Sequence, residues 1–182
     1  MLKMLKRFPN RQAILQVYAV IAVMFSAWTI TAFLWKLSAW LLILNLGEIF
    51  TIFSYSMVAN LLESLIVLIL LLTICALLPA SMFRNEFVVR GTILAAGLIG
   101  SLMTFVKLHM EFGIESGNRL LLGPLVVLLL TAILLSSPSR FRPVRFLHSA
   151  IRWISDRMLV FLYILVPLFV ILFAYVIFRI VT

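Results

Sequence analysis

Two short segments of the chain echo one another, Asn45-Leu46-Gly47-Glu48 and Asn60-Leu61-Leu62-Glu63. An amide and a carboxylate three residues apart share one face of a helix. Two such pairs together could bind a cation or relay a proton. Around the first pair, Ser38, Asn45, Glu48 and Tyr55 follow at spacings of 7, 3 and 7, which makes a narrow polar stripe if residues 37–57 form one helix. Lys107, placed near the same side, is a candidate ion-pair partner for Glu63. Asn45, Glu48, Asn60, Glu63 and Lys107 are therefore the candidate ion or polar site, because polar groups at membrane depth are costly and mark pathways or pairings. The alternatives are a stripe turned toward neighbouring helices or headgroups, and Lys107 reaching out to the headgroups on its long stem.

Nucleophilic and metal chemistry find less to work with. His109 and Glu111 are two apart, about 200° around a helix, and cannot chelate one ion without unwinding it. Cys75 lies roughly 25 Å along its helix from the end that His109 occupies. His148 could approach Cys75, but no neighbour in sequence is an evident orienter for it, and reactive thiols need an electropositive, accessible setting. No nucleophile elbow, metalloprotease helix or Gly-rich phosphate loop is present. No residue is assigned a catalytic, cofactor or metal role.

The elements that must position these residues follow from composition. Of the 182 residues 65% are hydrophobic and 12% charged, against about 45–50% and about 25% in soluble domains. Too little polar surface exists to coat such a core in water, so lipid is the solvent for much of the chain. A helix needs about 20 apolar residues to cross, which predicts spans near 13–35, 58–80, 91–108, 120–135 and 158–178. The expected fold is an all-α integral membrane protein, a five-span helical bundle forming a single polytopic domain over 1–182. Basic residues, which collect on the cytoplasmic side, decide the status of 37–57. With five spans and the N-terminus inside, 11 of the 15 Lys and Arg residues fall inside and 4 outside. If 37–57 also crosses, the partition is 7 against 8, which is no bias. Residues 37–57 are accordingly expected to be an additional embedded, re-entrant or interfacial helical segment on the outer side.

Gly91/Ala95, Ala96/Gly100 and Gly97/Ser101 form three small-xxx-small pairs on the third span, which should make it the packing centre, since close backbone approach holds helices together in lipid. Pro124 suits the start of the fourth span and Pro167 should kink the fifth. Residues 144–157 read as an amphipathic helix, with Val144, Leu147, Ile151 and Ile154 on one face. It is expected on the inner leaflet, with Trp153 as interfacial anchor and Arg140, Arg142, Arg145, Arg152 and Arg157 against anionic headgroups. With net charge +9, lipid headgroups are the expected partner, rather than nucleic acid.

The function expected is that of a non-catalytic structural or accessory subunit of a membrane complex, packing with other membrane subunits or as a homo-oligomer. A small oligomeric transporter or channel using the outer-side carboxylates is the alternative, and a lipid-modifying membrane enzyme is a weaker third. Reporter fusions after Gly113 and at the C-terminus should both report the side opposite the N-terminus. A reporter showing the C-terminus on the same side as the N-terminus would overturn the five-span topology.

Overall fold

The structure, a computed structural model, describes residues 10–77, 86–112, 117–136 and 142–181, and the side chains of all these except 111–112, 117–120 and 142–145. Lys3, Lys6, Arg7, Arg84, Gly113 and Arg140 lie outside the described residues, as do the side chains of Glu111, Arg119, Arg142 and Arg145. The described chain is five α-helices: α1 (Arg11–Trp40), α2 (Leu46–Leu77), α3 (Phe87–Phe112), α4 (Gly117–Ser136) and α5 (Arg142–Val181). Four of them, α1, α2, α3 and α5, are long and apolar enough to cross a membrane, while the apolar part of α4, Leu121–Ser136, is shorter. The chain is an all-α, multi-span membrane protein.

Two sequence-derived boundaries change. Residues 37–57 are not a separate embedded segment: they comprise the end of α1, a tight turn at 41–45 and the opening turns of α2. The turn closes on its own backbone. Leu41 N–H donates to Leu37 O, Leu42 to Ala39 O, and Ile43 and Leu44 both to Trp40 O. This bonding lets apolar side chains occupy the turn, with Leu42 and Ile43 more than four-fifths exposed, because an apolar setting tolerates backbone polar groups only when they are satisfied internally. As a result α2 begins at Leu46 rather than near 58, and at 1.5 Å per residue α1 and α2 run about 45–48 Å, well beyond a hydrocarbon core of about 30 Å.

Residues 144–157 are likewise not a separate helix lying on the inner leaflet. They continue into the fifth span as one helix of 40 residues. No Gly or Pro interrupts 144–158, and His148 and Ser155 are buried. Their partners are Glu86, just before α3, and Thr92 in its second turn. This stretch therefore stands along the bundle and turns His148 and Ser155 toward protein, while Arg152, Asp156 and Arg157 stay exposed.

The core sits where α1, α2 and α3 meet. Val17, Ile21 and Phe25 of α1, Leu71 of α2, and Phe87, Ala95 and Ile99 of α3 form one cluster of buried apolar side chains. A second, of Met57 and Val58 with Phe169, Leu172 and Val176, joins α2 to α5, and a third joins Ala19 and Ala22 of α1 to Leu162 of α5. The central position is shared, since α1 and α3 bury equal shares of their most apolar windows, 39% each against 22% for α2 and α5.

The small residues of α3 serve two neighbours. Gly91 and Ala95 face the central cluster, where a Cβ on Gly91 would meet Val17 Cγ2 at 3.3 Å. Gly97 and Ser101 form the seam with α4, which among the described residues packs on α3 alone. A Cβ on Gly97 would lie 2.5 Å from Thr131 Cγ2 and 2.8 Å from Thr131 Cβ. The Thr131 hydroxyl is held by its own bond to Val127 O at 2.7 Å, so it cannot swing away without losing that bond. On the other side of the seam, Gly123 admits Leu108 Cδ1 and Ser101 Oγ donates to Pro124 O at 3.3 Å. Gly100 is roomier, with Val127 at 3.8 Å. Gly97→Ala should therefore cost about 1–3 kcal/mol through overpacking, and Gly97→Leu should detach α4. Gly100→Ala should stay within about 0.5 kcal/mol of the parent. Thermal midpoints of the purified variants in mild detergent check the contrast, and equal effects at the two glycines would refute it.

Candidate functional site

The two Asn–Glu pairs of α2 have different surroundings. At the helix start the Asn45 N–H donates to Glu48 Oε2 at 2.9 Å, and the Glu48 N–H donates to Asn45 Oδ1 at 2.9 Å. This reciprocal arrangement is a capping box, which satisfies backbone donors that the first turn of a helix leaves unpaired. The spacing of Asn45 and Glu48 thus reports a helix N-terminus. It also ends the stripe from Ser38 to Tyr55, because a 41–45 turn separates Ser38 from the rest.

The second pair sits deeper. Asn60 is only 4% exposed; its Oδ1 accepts from Thr29 Oγ1 of α1 at 2.8 Å, and its amide nitrogen reaches only the Met57 sulfur at 3.8 Å. Glu63, one turn further, falls about halfway along α2 and is exposed. It lines a cavity of about 440 Å³ bounded by α1, α2 and α3. Lys107 is not among the lining residues, and Glu63 is not its ion-pair partner. The basic residue that shares the cavity with Glu63 is Lys36 of α1. The readable signal was Thr29, Ala32, Lys36 and Trp40, spaced 3, 4 and 4 along α1, opposite Ser56, Asn60 and Glu63, spaced 4 and 3 along α2.

Four interactions, among residues at or near the starts of α1 and α3 and in the first half of α5, mark the other end of the bundle. Arg90 Nε pairs with Glu86 Oε2 at 3.3 Å, and His148 Nδ1 lies 3.8 Å from Glu86 Oε1. Thr92 and Ser155 hydroxyls meet at 3.3 Å, both buried, and Gln16 donates to Asp156. Glu86 is the carboxylate beside His148 that sequence neighbourhood did not reveal. Arg152 and Arg157 are exposed, and the Arg157 guanidinium sits over the Trp153 ring, 5.6 Å from its centroid, in cation–π range. Cys75 packs with the central apolar cluster. Among the described residues no group of three His, Cys, Asp or Glu side chains converges as a metal site would require.

Other polar side chains join helices or turn on their own backbone. Tyr18 meets Ser64 at 3.4 Å and Thr51 meets Tyr175 at 3.1 Å, while Ser54, Ser56 and Thr73 donate to carbonyls four residues back. No protein family, curated protein or solved structure matches the chain.

The capping role makes a specific expectation. Asn45→Ala should cost about 1 kcal/mol of stability, whereas Glu48→Gln should be close to neutral, because an amide oxygen can accept the Asn45 N–H in the same box. Thermal midpoints read both. A loss at Glu48→Gln as large as that at Asn45→Ala would show that the charge of Glu48, and not its acceptor oxygen, is what the site uses.

Proposed function

We propose that the chain is a non-catalytic accessory subunit of a membrane complex, built of five spans with the Arg11 end of the bundle cytoplasmic and the Val181 end on the opposite side. The observation that carries this reading is the central apolar cluster. Polar groups concentrate above it, around Glu63 and Lys36, and below it, around Glu86, Arg90 and His148. Between the two, the meeting point of α1, α2 and α3 is filled by Val17, Ile21, Leu71 and Ile99. An ion or proton pathway needs polar or ionisable groups spread through the membrane, and a dry plug interrupts any such route within one copy. Several of the remaining hydroxyls and amides, Tyr18 with Ser64 and Thr51 with Tyr175 among them, join one helix to another, as suits a scaffold.

Further support for the topology comes from α4. Its 20 residues give about 30 Å of helix, enough for a fifth crossing, and its side-by-side packing on α3 through Gly97 and Gly123 suits a span. The exposed Arg152, Trp153 and Arg157 suit a cytoplasmic surface carrying anionic headgroups. The transporter reading retains one favourable observation, the exposed carboxylate of Glu63 in a cavity; a pore between copies would have to use it.

Purified protein reconstituted alone in liposomes should give no ion flux above empty vesicles, and extraction in mild detergent should retain stoichiometric partner subunits or further copies. Robust flux that disappears in Glu63→Gln would overturn the accessory reading in favour of transport.

A further inference from the structure

The cavity between α2 and α3 is a wedge. The two helices touch where Leu71 meets Gly91 and part toward the other end, with α1 as the floor. Its closed end is apolar, formed by Phe25 and Met103, which belong to the central cluster or pack against it. The lining carries one negative and one positive side chain, Glu63 toward the closed end and Lys36 toward the mouth, with Trp28 and Phe33 at levels between them on α1 and Trp40 beyond Lys36. The volume of about 440 Å³ lies within the roughly 300–1,000 Å³ range of small-ligand sites.

The two charges are arranged to face one another without meeting. Thr29 and Asn60 are level, being hydrogen-bonded. Lys36 lies two turns beyond that level, about 10 Å along α1, and Glu63 about one turn to the other side. Helical side chains lean toward the N-terminus of their own helix. Since α1 and α2 are antiparallel, Lys36 and Glu63 lean toward each other across the cavity, yet neither makes an ion pair or hydrogen bond among the described residues. Charges at membrane depth are stable only when compensated, and aromatic walls add attraction for an organic cation.

We propose that this wedge binds the headgroup of a zwitterionic amphiphile, its ammonium at Glu63 among the aromatic rings and its phosphate or carboxylate at Lys36. The apolar tail leaves sideways past Leu102, which lines the cavity and is 55% exposed. The buried Asn60 amide, bonded on its donor side only to a weak sulfur acceptor, supplies a further hydrogen bond to the headgroup. The site depends on the geometry of one copy and not on the accessory role proposed above.

The test titrates the full chain in maltoside micelles with dodecylphosphocholine, dodecyltrimethylammonium, dodecyl phosphate and uncharged dodecanol. Trp28 and Trp40 fluorescence is read in a Trp35→Phe/Trp153→Phe background. The zwitterion should give a saturable response, and Glu63→Gln should weaken it by at least about tenfold, as loss of a desolvated charge partner does. Lys36→Gln should weaken the zwitterion by about threefold or more while leaving the plain ammonium amphiphile unchanged. Ala32→Phe, which fills the cavity floor from another residue, should abolish the response even if Glu63→Gln proves too unstable to measure. Nanodiscs of phosphatidylglycerol with added phosphatidylethanolamine form the lipid arm: a response there identifies a bilayer lipid as the source, and a response confined to the micelle arm identifies a free amphiphile. Equal responses to dodecanol and the zwitterion, or unchanged zwitterion binding in both Glu63→Gln and Ala32→Phe, would overturn the proposal.

Discussion

The contact between α1 and α3, made where Gly91 and Ala95 let Val17 and Ile21 come close, sets the position of everything else in the molecule. In lipid no hydrophobic force drives helices together, so association depends on van der Waals contact and on the few hydrogen bonds available. A glycine-and-alanine face gives α1 and α3 that contact, and Leu71 of α2 completes it. With this junction fixed at one end, α2 and α3 diverge toward the other and leave the cavity between them. α5 then packs across α1 and α2 through two further apolar clusters. On the outer side of α3, a second small-residue face carries α4.

Polar chemistry is distributed around that dry junction rather than through it. Many polar groups near the middle of a helix are either bonded to a neighbouring helix, as Asn60 is to Thr29 and Ser155 to Thr92, or turned onto their own backbone, as Thr73 is. The small hydroxyl of Ser26 is buried with neither kind of partner among the described residues. Glu63 and Lys36 also depart from this pattern, and they do so in the same cavity. At the other end Glu86 gathers Arg90 and His148, so its charge is compensated within the bundle. The contrast between a compensated cluster at one end and two facing, unmatched charges at the other is what makes the wedge stand out as a site.

Much of this was legible in the residues. Apolar runs and the sparse charge identified helices in lipid, because both are properties of the chain's composition and local period. The small residues of α3 were readable for the same reason, although their division between α1 and α4 was not. The partition of basic residues argues that 37–57 does not cross by itself, but it says nothing of a turn inside the segment. An apolar turn at 41–45 carries no hydropathy signal that would divide it. Asn45 and Glu48 read as part of a polar stripe, whereas their spacing of three is the signature of a helix start. Placing α2 from Leu46 moves Glu63 from near the end of a span to about the middle of a helix, and with that changes what it can touch.

The sequence by itself determined that the chain is helical, that it lives in a membrane and which helix could be approached closely, since each of these depends on neighbours within a turn or two. Only the tertiary structure decided that 144–157 stands upright against α3 with Glu86 beside His148, and that Lys36 rather than Lys107 shares a cavity with Glu63. Those pairings join residues on different helices, and no local periodicity encodes which faces meet. They follow from how α1, α2 and α3 converge on one apolar junction and separate away from it, a geometry set by side-chain volumes at Gly91, Ala95 and Leu71 acting together.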